Sequence, residues 1–118
     1  MATIKMCTDI PQSKVLAKIL PLESVDMYYD RSGLPSLIDK YVTHESIKND
    51  KYHHLIPCWS LAALLKTFNF PSLTQNKEDE WEVCVFDHDN DDYIEKIANN
   101  PVDACVEMIL KLKELNLL

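Results

Sequence analysis

Nine carboxylates fall within one short stretch of this chain: Glu78, Asp79, Glu80, Glu82, Asp87, Asp89, Asp91, Asp92 and Glu95. No lysine or arginine interrupts them, and the whole chain has 19 acidic residues, so nearly half of its negative charge is gathered here. Three chemistries draw on such a stretch: calcium binding, contact with a basic partner, and metal-assisted or acid–base hydrolysis. Asp87, Asp89 and Asp91 alternate like the first three ligands of a calcium loop. The match then fails, because Asp92 stands where the sharp-turn glycine belongs and Ala98 where the bidentate glutamate belongs. A hydrolytic site would use Asp87, Asp89 and a histidine, but spacing alone fixes no geometry for it. A contact surface would use Glu78, Asp79, Glu80, Asp87, Asp89, Asp91, Asp92 and Glu95. The plainer reading of the same residues is a solvated hairpin tip.

A second group is His53, His54 and Cys58, with His44 upstream. Zinc would need a fourth ligand from a distant segment, and no pair has the spacing of a zinc site. A surface histidine pair beside a buried cysteine explains the group without a metal. Cys58-Trp59 has a superficial likeness to a thiol-protease nucleophile, but Pro57 replaces the glycine pattern expected before it. A single glycine in 118 residues excludes phosphate-binding loops of the P-loop and Rossmann kinds, and also a serine nucleophile elbow. No catalytic residue, metal ligand or cofactor-binding residue is assigned, no cofactor is expected, and the chain is read as non-enzymatic.

The elements that would position these residues are set by composition and periodicity. The length suits one domain over residues 1–118. At 47% hydrophobic, the chain can fill a core. A net charge of −7 argues against a nucleic-acid backbone or an anionic membrane as the main partner, since both need a basic surface. No apolar run approaches the roughly 20 residues of a membrane span. Met1 to Ile10 lacks the apolar core of a signal peptide, so a cytoplasmic protein is expected. Cys7, Cys58, Cys84 and Cys105 form no CxxC pair and are read as free, mostly buried thiols.

The clearest element is the last one. Asn100 can cap a helix, Pro101 fits its first turn, and Asp103 suits the positive end of its dipole, with Lys111 and Lys113 at the other end. Val102, Cys105, Met108, Ile109, Leu112 and Leu115 recur at helical spacing, and Glu107 is placed to pair with Lys111. Helices are predicted near 12–20, 57–68 and 101–115. Val25 to Tyr29 alternates like a half-buried strand, and Leu73 to Gln75 suits a short one. Trp81 to Phe86, apolar on both faces, reads as a central strand. Tyr93 to Ala98 fits a strand returning beside it, and a helical turn fits nearly as well. Residues 30–54 read as an irregular excursion. The order α-β-α-β-β-α gives an α+β fold, with a small, mostly antiparallel sheet of three to four strands packed with helices.

The run Ile56-Pro57-Cys58-Trp59-Ser60-Leu61-Ala62-Ala63-Leu64-Leu65, a strand opened by Trp81, and Asn100-Pro101-Val102-Asp103-Ala104-Cys105-Val106-Glu107-Met108-Ile109-Leu110 together resemble small proteins encoded by phages and mobile elements of gut bacteria. More loosely, the later half resembles the phage ABA-sandwich domain. The resemblance covers residues 56–118, with a weaker echo in 9–27. It implies a sheet between helices and transfers no catalytic residue. The first expectation for function is therefore a small accessory protein that binds another, basic protein, with a homo-oligomer left open. The second is an acidic inhibitor whose carboxylates stand in for nucleic-acid phosphates, and the third is a metal-dependent hydrolase.

Overall fold

A computed structural model of the chain describes residues 5–51 and 54–118. In order, these form helix α1 (Ile10–Leu16), a 3-10 turn (Leu22–Ser24), strands β1 (Met27–Tyr29) and β2 (Pro35–Leu37), helix α2 (His44–Lys48), strand β3 (Ile56–Cys58), helix α3 (Leu61–Leu65), strands β4 (Ser72–Gln75), β5 (Trp81–Asp87) and β6 (Asp92–Ala98), and helix α4 (Pro101–Glu114). The α+β class and antiparallel pairing are as expected. The strands divide between two three-stranded sheets, β2-β1-β3 and β4-β5-β6, instead of joining in one. The β2-β1-β3 sheet draws β2 from the 30–54 excursion and β3 from the start of the expected 57–68 helix. The excursion is not wholly irregular: it holds β2, which pairs Leu37 with Met27, and α2, where Thr43 and Ser46 form a reciprocal cap.

Helix boundaries follow the caps. Asp9 and Gln12 exchange hydrogen bonds at the start of α1: the Gln12 amide donates to Asp9 at 2.8 Å, and the Asp9 amide donates to Gln12 Oε1 at 3.0 Å. The helix therefore starts earlier than the expected residue 12 and ends at Leu16. The expected 57–68 helix shortens to α3. Ser60 caps it by accepting from the Ala63 amide, while Ile56–Cys58 is drawn into β3 by pairing with β1. A side chain can define a helix start locally, but a strand partner some thirty residues away leaves no local trace. Asn100 caps α4 as expected, accepting from the Asp103 amide at 2.8 Å, with Pro101 in the first turn.

The main core joins α1, α3, α4 and the inner face of β5, with Leu16, Trp59, Leu64, Val83, Met108 and Ile109 fully buried. Leu115 lies outside it and is exposed, and Lys111 approaches Glu114 at 3.7 Å. A second, smaller core holds Cys7, Met27, Tyr29 and Cys58. The segment before α1 is tied down at two points. The Lys5 ammonium lies 2.9 Å from Asp103 at the start of α4 and 3.0 Å from Asp9. Thr8 is fully buried: its amide donates to the Trp59 carbonyl at 3.0 Å, and its carbonyl accepts from the Tyr29 hydroxyl at 2.7 Å.

Candidate functional site

The acidic residues do not form one hairpin tip. Glu78, Asp79 and Glu80 lie in or beside the turn between β4 and β5, and Asp87, Asp89, Asp91 and Asp92 in or beside the turn between β5 and β6. These turns cap opposite ends of β5, about 20 Å apart at the usual rise of a strand. Glu82 and Glu95 lie between them on the strands themselves.

Each turn is built by one side chain that satisfies the backbone around it. Asn76 Oδ1 accepts from the amides of Glu78 and Glu80, both at 3.0 Å, and Asp79 takes the left-handed conformation at φ 60°. Asp87 does the same in the second turn, accepting from the Asp89 amide at 3.0 Å and from Asn90 Nδ2 at 2.7 Å. The Asn90 bond holds the Asp87 carboxyl below its usual range, against the opposing effect of desolvation. Asp87 is buried and occupied with shaping its turn. The spacing of Asp87, Asp89 and Asp91 thus reflects a hydrogen-bonded turn.

Between the turns, β5 alternates. Val83, Val85 and Asp87 are buried on the inner face, where α4 packs, while Glu82, Cys84 and Phe86 face outward. The strand is central within its sheet, as expected, but only one of its faces is buried. Registers of β4 and β6 complete the outer face. Ser72, Cys84 and Glu95 lie in one row, Thr74, Glu82 and Ile97 in the next, and Phe86 beside Tyr93. None of these eight side chains is basic. Tyr93 is 64% exposed and Ile97 49%. Phe86 anchors an aromatic group, with its ring centroid 5.1 Å from Tyr93 and 4.7 Å from His88, both edge-on.

Two carboxyls meet on this face. Glu95 lies beside Glu82 and raises the Glu82 pKa, first through a hydrogen bond between the two carboxyls and then through its charge. The Cys84 thiol beside them is also raised, first by burial and then by the Glu95 charge. A cation brought to this pair would relieve the repulsion. Phe86, Tyr93 and Ile97 were absent from the residues singled out in the sequence. The sequence carried little signal for them: in β6, Tyr93-Ile94 and Ile97-Ala98 flank Glu95-Lys96 without alternating, and only pairing with β5 separates its two faces.

The histidines and cysteines of the second group are dispersed. The His44 ring nitrogen Nε2 lies 2.6 Å from the Val25 carbonyl, and Arg31 donates to His54 Nδ1 at 2.8 Å. Cys58 is fully buried beside Cys7, Met27 and Tyr29, and its thiol is raised by burial. His53 lies outside the described residues. Among the described residues, no three His, Cys, Asp or Glu side chains gather where they could hold a metal ion. No helix among them is long and apolar enough to cross a membrane. No family model matches the chain, and no curated protein or solved structure matches it.

Proposed function

We propose that this is a small accessory protein that acts by binding another protein, and that the outer face of the β4-β5-β6 sheet is its contact surface for a basic partner. The observation that carries this reading is the make-up of that face: an aromatic and aliphatic patch of Phe86, Tyr93 and Ile97, the adjacent carboxyls of Glu82 and Glu95, no basic side chain, and an acidic turn at each end. Anchoring aromatics surrounded by charge are what a specific protein interface needs, and the surrounding carboxylates would steer and orient a cationic partner. Mimicry of nucleic-acid phosphates is the weaker reading. A duplex presents one charge per roughly 1.7 Å, whereas here the carboxylates fall into separate groups with apolar side chains between them. The resemblance of residues 56–118 to small phage and mobile-element proteins is consistent with an accessory role.

The test is an NMR titration with a short peptide alternating lysine and leucine, and with its glutamate counterpart. The basic peptide should shift the amides of Glu82, Phe86, Tyr93, Glu95 and Ile97. The shifts should weaken with added salt and be lost in the Glu82→Gln, Glu95→Gln double variant. Equal binding of the acidic peptide, or shifts confined to another surface, would defeat the reading.

A further inference from the structure

We infer that the free edge of β6 is a self-association site, where the same strand of a second copy adds in antiparallel register and joins two three-stranded sheets into one of six. β6 is the outermost strand of its sheet, and among the described residues the backbone of no element other than β5 bonds to it. The Tyr93 amide shows which residues face the open side. It donates to the Asp92 carboxylate at 2.7 Å and so is not bonded to β5. In an antiparallel ladder, alternate residues share a direction. Tyr93, Glu95 and Ile97 therefore present their N–H and C=O groups outward, while Ile94, Lys96 and Ala98 bond to β5. An exposed row of this kind is a template for another strand.

Charge selects the register. A two-fold pairing must set outward-facing residues opposite one another, which leaves three central arrangements. With Glu95 opposite its own copy, two carboxylates already crowded by Glu82 would meet. With Lys96 opposite its own copy, two ammonium groups would meet. With Ile94 on the axis, Tyr93 faces Glu95 of the second copy, and Asp92 faces Lys96 on both sides of the axis. Opposite charges directly across a strand pair are favourable and like charges unfavourable, so the third register is the one the edge fits. Lys96 lies in the row of Val83 and is half-buried; a lysine can keep its ammonium in water while its stem is covered, long enough to meet a carboxylate across the edge. The pairing is short, so the dimer is concentration-dependent. It uses the edge and not the outer face, so it does not rest on the proposed function, and the variants that decide it are at Asp92, Ile94 and Lys96.

The experiment is sedimentation of the full chain over a range of concentrations. The native chain should approach the mass of two chains at the upper end. Lys96→Asp sets like charges across the axis and should move the midpoint at least about tenfold higher in concentration. Adding Asp92→Lys to that variant should restore it, an outcome that misfolding of the single variant could not produce. Ile94→Cys should form a bridge between copies under oxidation, and Glu95→Cys should not. The mass of one chain at every concentration, no effect of Lys96→Asp, failure of the charge swap to restore pairing, or a bridge through Glu95→Cys in place of Ile94→Cys would each overturn the inference.

Discussion

Asp103 joins the first residues of the described chain to the last helix, and replacing it with asparagine tests that junction. Its Oδ1 accepts from Lys5 Nζ at 2.9 Å and from Gln12 Nε2 at 2.8 Å, and its Oδ2 accepts from Asn100 Nδ2 at 2.7 Å. An asparagine has one acceptor oxygen and one donor nitrogen. With the oxygen toward Lys5 and Gln12, its NH2 meets the NH2 of Asn100; turned over, it meets the ammonium instead. One or two hydrogen bonds are lost at about 1 kcal/mol each. Loss of negative charge in the first helical turn costs about 0.3–1 kcal/mol more. The ion pair adds less than about 1 kcal/mol, since both side chains are nearly a third exposed. These losses overlap, so the total should be about 2–3 kcal/mol, or roughly 10 °C in melting temperature for a chain of this size.

The pH dependence of that difference is the sharper measurement. Burial pushes the Asp103 pKa up, but the bonds from Lys5, Gln12 and Asn100 outweigh it, so the folded value lies below the ordinary one. A depressed carboxyl contributes stability that is present above the unfolded pKa of about 3.9 and is lost as pH falls through the folded value. Urea unfolding should show the full difference between native chain and Asp103→Asn at pH 7, shrinking from about pH 4 downward. Lys5, whose pKa is raised by Asp103 and Asp9 against the effect of burial, stays charged throughout that range. A difference that is the same at pH 7 and in strong acid, or one below about 0.5 kcal/mol at pH 7, would refute the assignment of this junction.

Ile109 is fully buried in the middle of α4, so Ile109→Ala should cost about 2–5 kcal/mol by chemical denaturation, and a loss under about 1 kcal/mol would show that α4 is not the centre of the core. Mass mapping of alkylated, unreduced protein should find four free thiols, with Cys84 modified first because Cys7, Cys58 and Cys105 are buried. A disulfide in the map, or faster reaction at Cys58, would contradict this.

What the sequence disclosed depended on the range of the interaction involved. α4 was legible because Asn100, Pro101 and its apolar period all act within a few residues of one another. β5 was legible as a strand for the same reason, whereas Tyr93–Ala98 fitted a helical turn nearly as well, and it is pairing with β5 that makes it a strand. β3 was not legible: Ile56-Pro57-Cys58 runs into an apolar helix, and only pairing with β1 separates the two. The acidic stretch was conspicuous as composition, but its division came from the strand inside it. Trp81–Asp87 is long enough to carry its two turns apart, which turned an apparent cluster into the rim of a face. Asp87 looked like a ligand because turn-forming aspartates and metal-binding aspartates share the same spacing.

The bonds of the N-terminal segment also constrain the order in which the molecule can be completed. Thr8 takes its partners from Tyr29 and Trp59, and Lys5 takes one from Asp103. The turns joining β4 to β5 and β5 to β6 close within a few residues, at little entropic cost, whereas the Lys5 contact closes a loop of nearly the whole chain. During synthesis the first of these segments to leave the ribosome is therefore the last to find its partners. Until Trp59 has emerged, the Thr8 amide has no Trp59 carbonyl to bond. Until Asp103 has emerged, Lys5 lacks its carboxylate in α4, so the junction between the segment before α1 and α4 can close only once the start of α4 is free.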